Sequence, residues 1–227
     1  MDKLYGLIFD VDGVIADTET INARVSIKVF AEFFGIEGVV RKDFESGLGR
    51  AAEEYVKAGA KTHGLELTEE QVKKATQLRQ QYFLKVLSEE SLEPFPGVLE
   101  LMEKAILRKD FRLAIATSGT LEKSRAVLEA TKTPYQRMVY VNGDHVNNKK
   151  PDPEVFLLAA ERIGIEPSSC VVIEDTPNGI QAAKAAGTKC IAVTNSVSAK
   201  NLYEADLVCD SLEHIKLDTI QALIDSN

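Results

Sequence analysis

Carboxylates, hydroxyls and one lysine stand close to the ends of successive short apolar runs of the sequence. They are Asp10, Asp12, Thr117, Ser118, Lys150, Glu174 and Asp175. A carboxylate can bind a divalent cation or attack an electrophile, whereas hydroxyl and ammonium groups hold anionic oxygens. Residues of these types, if they meet in one place, indicate chemistry on a phosphate group.

Phosphoryl transfer through a carboxylate would use the whole set. Attack by an anionic carboxylate on a phosphate dianion is opposed by charge, so such a site needs Mg²⁺, which typically binds one or two carboxylates. Asp10 and Asp175 are the predicted carboxylate ligands, and Asp10 is also the predicted nucleophile, which would form an aspartyl-phosphate. Lys150 and the Thr117 hydroxyl, with the backbone amides around Ser118, would hold the transferring oxygens.

Asp12 stands two residues after Asp10, where it could reach the other side of the scissile bond. It would protonate the departing alkoxide and then take a proton from the attacking water. Each polar residue taken alone also fits an ordinary role, as a loop acid, a helix N-cap or a solvated charge. An EF-hand calcium loop is excluded, because Gly13 comes too early and Ile21 occupies the position of the required glutamate. Together, at successive strand ends, the residues favour one shared site.

Short apolar runs alternate with amphipathic helical segments over most of the chain, which is typical of a parallel sheet covered by helices on both faces. In such a sheet ligands bind at the carboxyl ends of the strands, where the polar residues stand. Asp152 is the predicted N-cap of one helix, with Pro153 at its first position and Gly164 after its last turn. A second helix is predicted over 177–186. The predicted strands are 4–9, 112–116, 138–141, 171–173, 190–193 and 207–209.

One long segment, residues 18–93, interrupts this alternation. It contains no predicted strand and at least two amphipathic helices, the later of which begins with a capping box formed by Thr68 and Gln71. A proline-rich stretch ends the segment, and the rest of the chain has the size of one α/β domain. We therefore predict a catalytic core of residues 1–17 and 94–227 with an inserted helical cap of residues 18–93.

The composition of the chain indicates which classes of binding partner and which cellular compartment to expect. The chain has 227 residues, 44% of them hydrophobic, and a formal net charge of −8, so it is expected to fold and lacks the basic excess of proteins that bind nucleic acid or anionic membranes. No apolar run approaches the roughly 18 residues of a membrane span. Cys170, Cys190 and Cys209 lack paired spacing and are predicted to be buried, reduced thiols. We expect a monomer in the cytoplasm, or in an organellar matrix if a transit peptide has been removed.

The motifs resemble those of the haloacid dehalogenase (HAD) superfamily, and within it the subgroup of β-phosphoglucomutase-like proteins and phosphosugar phosphatases. Four blocks occur in the family's order: DVDGVIADTE from Asp10, Thr117-Ser118, KPDPEVF from Lys150 and EDTPNGI from Glu174. The resemblance implies a Rossmann-like parallel-sheet core, a small helical cap, Mg²⁺ and an aspartyl-phosphate intermediate.

The resemblance also implies a role for individual residues. Asp10 corresponds to the nucleophile and Asp12 to the general acid and base, whose backbone carbonyl would also touch the metal. On the cap, Arg50 matches the position of a substrate-reading arginine in mutase-like members, and Arg79 is a candidate replacement for a cap lysine. The remaining matches are Thr117 and Lys150 as phosphate holders and Glu174 and Asp175 as metal-site acids.

Several departures from the mutase pattern favour a phosphatase. Asn22 stands where sugar-phosphate mutases carry a histidine, residues 119–121 replace the polar residues that grip a second phosphate, and Leu78 stands at the place of the cap lysine. A mutase must retain and reorient a bisphosphate, whereas a hydrolase only has to admit water. We therefore expect a phosphatase for a small phosphorylated metabolite, such as a sugar or polyol phosphate, with a phosphosugar mutase as the alternative.

A non-catalytic phospho-acceptor signalling domain is a more distant alternative. Such receiver domains also combine an acid pair, an acceptor aspartate, a hydroxyl and a lysine on a parallel sheet, but their acid pair precedes the acceptor. Here Asp10 comes first and the pair Glu174-Asp175 comes last. Asp12 and the 18–93 segment would also have no use in a passive acceptor.

Overall fold

Six parallel strands form one sheet in the computed structural model, which describes residues 3–226. In chain order the strands are β1 (Tyr5–Phe9), β2 (Phe111–Ala116), β3 (Val139–Val141), β4 (Cys170–Glu174), β5 (Lys189–Val193) and β6 (Leu207–Cys209). Their order across the sheet is β3-β2-β1-β4-β5-β6, so β1 lies between β2 and β4. The six predicted strands are confirmed, with ends that differ by no more than one residue.

Eight α-helices occur among the described residues. They are α1 (Thr18–Phe34), α2 (Ala52–Thr62), α3 (Glu69–Glu89), α4 (Val98–Ile106), α5 (Leu121–Ala130), α6 (Glu154–Ile163), α7 (Pro177–Ala185) and α8 (Leu217–Asp225). The parallel sheet with its helices confirms the predicted Rossmann-like α/β fold.

Both faces of the sheet are covered, which explains why the strands are almost continuously apolar. On one face Phe9 and Ile173 pack in a core with residues of α4 and α8. On the other face Ile8 and Val172 pack with residues of α6 and α7. Successive side chains of a strand point to opposite faces, so each strand contributes to both cores. The sheet is therefore a rigid support for whatever follows its carboxyl ends.

The segment 18–93, all of which is described, contains α1, α2 and α3, a 3₁₀ turn over Arg41–Gly47 and no named strand. Its interior includes Phe30 and Phe44, which are fully buried and pack edge to face with ring centroids 5.4 Å apart. The predicted capping box is confirmed: the Gln71 N–H donates to Thr68 Oγ1 at 3.2 Å, and the Thr68 N–H donates to Gln71 Oε1 at 2.9 Å.

The two chain crossings between this helical segment and the sheet run side by side. Ala16 and Pro94 form an isolated antiparallel bridge, and the Phe95 N–H donates to the Ile15 carbonyl at 2.7 Å. The bridge lies at the ends of the predicted insertion, so the chain enters and leaves the helical segment 18–93 at neighbouring positions.

One helix begins later than predicted. Pro153 is the N-cap of α6 and Glu154 its first residue, whereas the sequence placed Asp152 and Pro153 at these positions. The turn that carries Lys150 extends further than expected, since the Asp152 N–H donates to the Lys149 carbonyl at 3.0 Å. Asp152 still assists the helix start, because its Oδ1 accepts the Glu154 N–H at 3.0 Å.

The three thiols are free, as predicted, but they are not equally buried. Cys170 and Cys190 are buried, whereas Cys209 is only partly buried. The prediction of burial is wrong for Cys209 because β6 is the edge strand of the sheet, with no further strand beside it. Within the described chain, no helix has both the length and the apolar composition that crossing a membrane requires.

Candidate active site

Three of the predicted residues meet at the carboxyl edge of the sheet around one ammonium group. The Lys150 Nζ donates to Asp10 Oδ1 and to Glu174 Oε1, at 2.7 Å in both cases. Asp10 follows β1 and Glu174 ends the neighbouring strand β4, and the Asp10 N–H extends this strand pairing by donating to the Ile173 carbonyl at 3.1 Å. All three charged side chains are buried. One cation thus sits between two carboxylates from adjacent strands.

A third carboxylate makes the cluster acidic. Oxygens of Asp10, Glu174 and Asp175 lie within 4.8 Å of one another. Asp175 accepts a hydrogen bond from the Ser196 hydroxyl through Oδ2, but its buried Oδ1 has no partner in the described structure. Lys150 cannot neutralise three carboxylates, and a free buried oxygen among them suits a cation. The donor set therefore fits a hard divalent metal ion.

The pKa values of Asp10, Asp175 and Lys150 reflect this excess of carboxylates over ammonium groups. Burial raises the pKa of Asp10 to about 7; the charge of Lys150 opposes the shift, and that of Glu174 reinforces it. Burial, followed by the charges of Glu174 and Asp10, also raises the pKa of Asp175 well above its usual value. Burial disfavours the charged form of Lys150, but the two carboxylates outweigh this effect and its pKa is raised. The site holds more negative charge than its own residues balance.

Two glycines of the motifs leave the space that this crowding requires. A Cβ atom on Gly179 would overlap the Glu174 carboxylate, and a Cβ atom on Gly13 would overlap Asp175 Oδ2. Gly13 also has a φ of +75°, a conformation that other residues rarely adopt. Both glycines are needed for the acids to approach the sheet edge.

The start of α7 fixes the orientation of Glu174. Its Oε2 accepts the N–H groups of Asp175 at 2.8 Å and Thr176 at 3.0 Å, and the Thr176 hydroxyl at 3.0 Å. Thr176 is also the N-cap of α7, because its Oγ1 accepts the Gly179 N–H at 3.1 Å. Sequence reasoning did not assign Thr176 a role; its place before a proline at a helix start was the available signal.

The two hydroxyls after β2 lie beside this cluster. Thr117 is buried, and its Oγ1 accepts the Gly119 N–H at 3.1 Å. The Ser118 Oγ is buried and has no hydrogen-bond partner among the described residues. Both residues line the same cavity as Asp10 and Lys150. Hydroxyl groups and an ammonium group around one cavity suit an anionic ligand.

Asp12 faces the same cavity but has different partners from Asp10. Its Oδ1 accepts hydrogen bonds from the Thr18 hydroxyl at 2.6 Å and from Lys123 Nζ at 2.8 Å. Burial by itself would raise the pKa of Asp12, but the charge of Lys123 and these hydrogen bonds lower it below its usual value. The two aspartates of the first motif are therefore held in different electrostatic surroundings.

The two cap arginines predicted from the resemblance both line the cavity. Arg79 is buried: its Nε donates to Ser26 Oγ at 2.6 Å and its guanidinium lies 4.5 Å from the centre of the Tyr55 ring. Leu78, its neighbour, packs instead with the apolar interior of the helical segment. Arg50 is exposed, and its Nε donates to Asn178 Oδ1 at 3.2 Å.

A cavity of about 740 Å³ separates these cap residues from the sheet edge. It is lined from below by Asp10, Asp12 and Lys150, and from above by Arg50 and Arg79. A volume of this size accommodates a small organic ligand. The arrangement can hold an anionic group between Lys150 and the hydroxyls, with the remainder of the ligand under the cap.

A family model described as "haloacid dehalogenase-like hydrolase" matches residues 7–193, which include all four polar segments of the cluster. The chain belongs to this family. The resemblance predicted from the motifs is thereby confirmed.

Relatives of this haloacid dehalogenase-like hydrolase include named phosphatases. The phosphorylated carbohydrates phosphatase of Thermotoga maritima is 34% identical over 211 residues, covering 89% of this chain and 91% of that protein. CbbY from Rhodobacter sphaeroides, solved in complex with phosphate, superposes with a TM-score of 0.83 at 26% identity, covering 96% of this chain and 99% of that chain.

A longer plant protein contains a similar region. The protein SUPPRESSOR OF QUENCHING 1, chloroplastic, of Arabidopsis thaliana is 32% identical over 221 residues, which cover 96% of this chain. This chain spans only 21% of the length of that protein.

Two charged residues of the hydrolase that sequence reasoning left without a role stand beside Asp12. Lys123 comes from α5, and its Nζ also lies 4.7 Å from the centre of the Phe83 ring of α3. Glu19, in the first turn of α1, is buried, and burial together with the charge of Asp12 raises its pKa to about 7. Glu19 Oε1 accepts a hydrogen bond from Asn22 at 3.1 Å, while Oε2 has no partner in the described structure. Glu19 is the last residue of the first motif, a signal that could have found it.

Proposed function

We propose that this haloacid dehalogenase-like hydrolase is a phosphatase that removes phosphate from a small phosphorylated carbohydrate, a sugar or polyol phosphate. The observation that carries the proposal is the buried Asp10 carboxylate, held by Lys150 at the floor of a cavity that Asp12 also lines. The name of the Thermotoga relative supports the substrate class.

In the first half-reaction an oxygen of Asp10 attacks phosphorus, and the bond between phosphorus and the ester oxygen breaks. Asp12 gives a proton to the departing alkoxide. It must first take up this proton against the lowered pKa that Lys123 imposes. Lys150, the Thr117 hydroxyl and the backbone amides around Ser118 hold the phosphoryl oxygens, which carry negative charge throughout the transfer. The products of this half-reaction are the free alcohol and an aspartyl-phosphate on Asp10.

In the second half-reaction water attacks the phosphorus of the aspartyl-phosphate. Asp12, now a carboxylate, accepts a proton from this water, and the bond between phosphorus and Asp10 breaks. Orthophosphate leaves, and Asp10 and Asp12 return to their starting forms. One residue thus acts first as an acid and then as a base, which requires it to lie on the side of the leaving group.

Asp10, Glu174 and Asp175 would hold Mg²⁺, together with the backbone carbonyl of Asp12. Their all-oxygen donor set and the unpartnered Asp175 Oδ1 support this assignment. A bound divalent cation would offset the repulsion between the Asp10 carboxylate and the phosphate dianion.

Hydrolysis is favoured over phosphosugar isomerisation by the residues around the cavity. Asn22, at the place of the mutase histidine, donates its side-chain amide to Glu19. Gly119 lines the cavity without a side chain that could grip a second phosphate. A signalling domain without turnover would need neither Asp12 nor the cavity under the cap.

The compartment and the partners are inferred from composition. The free thiols support action in a reducing compartment, the cytoplasm or an organellar matrix. The absence of a basic excess supports a protein without nucleic-acid or membrane partners. We expect a monomer.

A substrate screen tests the proposal. Purified protein with Mg²⁺ should release orthophosphate from at least one sugar or polyol phosphate, and Asp10→Asn should abolish this release while circular dichroism stays unchanged. Asp17→Asn is the matched control, since asparagine also caps a helix. Retained activity in Asp10→Asn would refute the nucleophile. A hexose 1-phosphate with a trace of bisphosphate reveals a mutase, which yields the isomer without loss of phosphate.

The two roles of Asp12 can be separated with an aryl ester. The leaving group of p-nitrophenyl phosphate needs no proton, so Asp12→Ala should complete one turnover and then stall without its base. Stopped-flow absorbance should show a burst of about one equivalent of nitrophenolate, then a steady rate reduced about 100-fold or more. A steady rate equal to that of the unmodified protein contradicts the assignment.

A further inference from the structure

The loop between the 3₁₀ turn and α2 rests on one asparagine of the core. Asn178, in the first turn of α7, donates its Nδ2 to the Leu48 carbonyl at 2.7 Å and accepts the Arg50 Nε at 3.2 Å through Oδ1. A single side chain thus holds both ends of the three-residue stretch 48–50, which we term the cap loop. Both hydrogen bonds join residues about 130 positions apart in the chain.

The middle of the cap loop is in contact with the same region of the core. Gly49 has a φ of +73°, and a Cβ atom there would overlap the Thr176 hydroxyl. That hydroxyl is the group that donates to Glu174 Oε2. The cap loop therefore packs directly on the residue that orients a metal-site acid, through a contact that only glycine permits.

The bond to Asn178 restricts the Arg50 side chain. Arginine has many rotamers, and fixing one of them before a ligand arrives lowers the entropic cost of binding. Asn178 engages Nε, while the terminal nitrogens of Arg50 have no hydrogen-bond or ion-pair partner within residues 3–226. Two donor nitrogens therefore remain available at a residue that lines the cavity.

We propose that Asn178 is a positioning residue that docks the cap loop on the core and aligns the Arg50 guanidinium with the substrate cavity. The proposal rests on the proposed function in one respect, namely that Arg50 contacts the substrate. Asn178 stands two residues from Thr176 and four from Glu174, on the element that fixes the metal-site acids. Arg50 is consequently aligned only while the cap loop lies against the core.

Kinetics with two probes test the alignment. Asn178→Ala should raise KM for glucose 6-phosphate about tenfold, as expected for the loss of a hydrogen bond to a charged group, with kcat changed less than about twofold. The KM for acetyl phosphate, whose leaving group is too small to reach Arg50, should stay unchanged. In an Arg50→Ala background, Asn178→Ala should have no further effect. Asn201→Ala, at an exposed asparagine, is the matched control.

A measurement without substrate separates this proposal from the proposed function. Amide hydrogen exchange in a peptide covering residues 45–52 should be faster in Asn178→Ala than in the unmodified protein or in Asn201→Ala. Unchanged exchange overturns the docking role. Faster exchange with an unchanged KM, or additive effects with Arg50→Ala, overturns the positioning role. If the unmodified protein hydrolyses neither probe, the same kinetics are measured with a sugar phosphate that it hydrolyses in the screen. If it hydrolyses no phosphate ester in the screen, the proposed function fails along with the alignment, while exchange still decides whether Asn178 docks the loop.

Discussion

At the scale of single residues, Lys150 is the counter-charge of the site. Its ammonium bridges Asp10 and Glu174 with all three groups buried, and Asp175 lies beside them. A buried ion pair contributes little to stability when complete, but removing one partner leaves an uncompensated buried charge. The acids therefore depend on Lys150 whenever no other cation is bound.

Replacing Lys150 measures this dependence. In the absence of divalent metal, Lys150→Met should lower the free energy of unfolding by about 3–5 kcal/mol, as determined by urea denaturation. The loss should be larger at pH 8 than at pH 6. The pKa of Asp10, already raised to about 7, would rise further, so the folded variant takes up protons that the unfolded chain does not, and its stability falls as pH increases.

Lys149→Met is the matched control, because Lys149 neighbours Lys150 in sequence but is not buried. Its effect should stay within about 0.5 kcal/mol. Equal losses in the two variants would show that the cluster does not depend on the ammonium group.

At the scale of elements, the first turn of α7 performs several tasks. Thr176 caps the helix and orients Glu174, Asn178 holds the cap loop, and Gly179 leaves room for the Glu174 carboxylate. These tasks follow from one strand-to-helix connection, in which β4 ends in Glu174 and α7 starts three residues later. The motif EDTPNGI thus both starts α7 and positions residues of the site.

Gly179→Ala should separate activity from stability. The added methyl group overlaps the Glu174 carboxylate, so Glu174 must shift and carry Lys150 with it. A displacement of about 1 Å at a reacting group can cost about 100-fold in kcat, which phosphate release would measure.

The control is Gly187→Ala, which follows the same helix. Gly187 has a φ of +79° with nothing near the position of a Cβ atom. Its replacement should cost about 1 kcal/mol of stability through backbone strain and leave kcat unchanged. A Gly179→Ala enzyme with full activity would contradict the crowding described at Glu174.

At the scale of the whole molecule, the cavity lies between the helical segment 18–93 and the carboxyl edge of the sheet. The helices 18–89 have apolar clusters around Phe30 and around Val29. Ile21 and Val25 of α1 and Phe83 of α3 also belong to the core cluster of one face of the sheet. Between the helical segment and the sheet edge lie charged groups from both sides, with Lys123 of the core against Phe83 of α3. Asp10, one of the three acids proposed to hold a metal ion, lines the cavity.

Metal binding should therefore stabilise the fold measurably. At a Mg²⁺ concentration 100 times its Kd, the gain is about 2.7 kcal/mol, which for a chain of this size corresponds to a rise in Tm of roughly 5–10 °C. Differential scanning fluorimetry with Mg²⁺ and with EDTA measures the shift. Asp175→Asn should reduce it, and an equal ionic strength of KCl is the control. No difference between Mg²⁺ and KCl would argue against a metal site.

The sequence by itself was sufficient to predict which polar residues lie at the carboxyl edge of the sheet. Buried parallel strands are continuously apolar and ligands bind at their carboxyl ends, so Asp10, Thr117 and Glu174 could be placed together from strand positions alone. The capping box of Thr68 and the glycine after α6 were equally readable, because caps are local interactions between residues close in sequence.

Only the tertiary structure decided which residues, distant in the chain, meet at the site. Lys123 approaches Asp12 across 111 positions, and Asn178 reaches Leu48 across 130. From the sequence alone, Lys123 in the first turn of α5 and Asn178 after a proline look like ordinary solvent-exposed residues. Their roles depend on which helices and strands pack against each other. The periodicity of apolar residues within one helix or strand does not identify the element that it contacts.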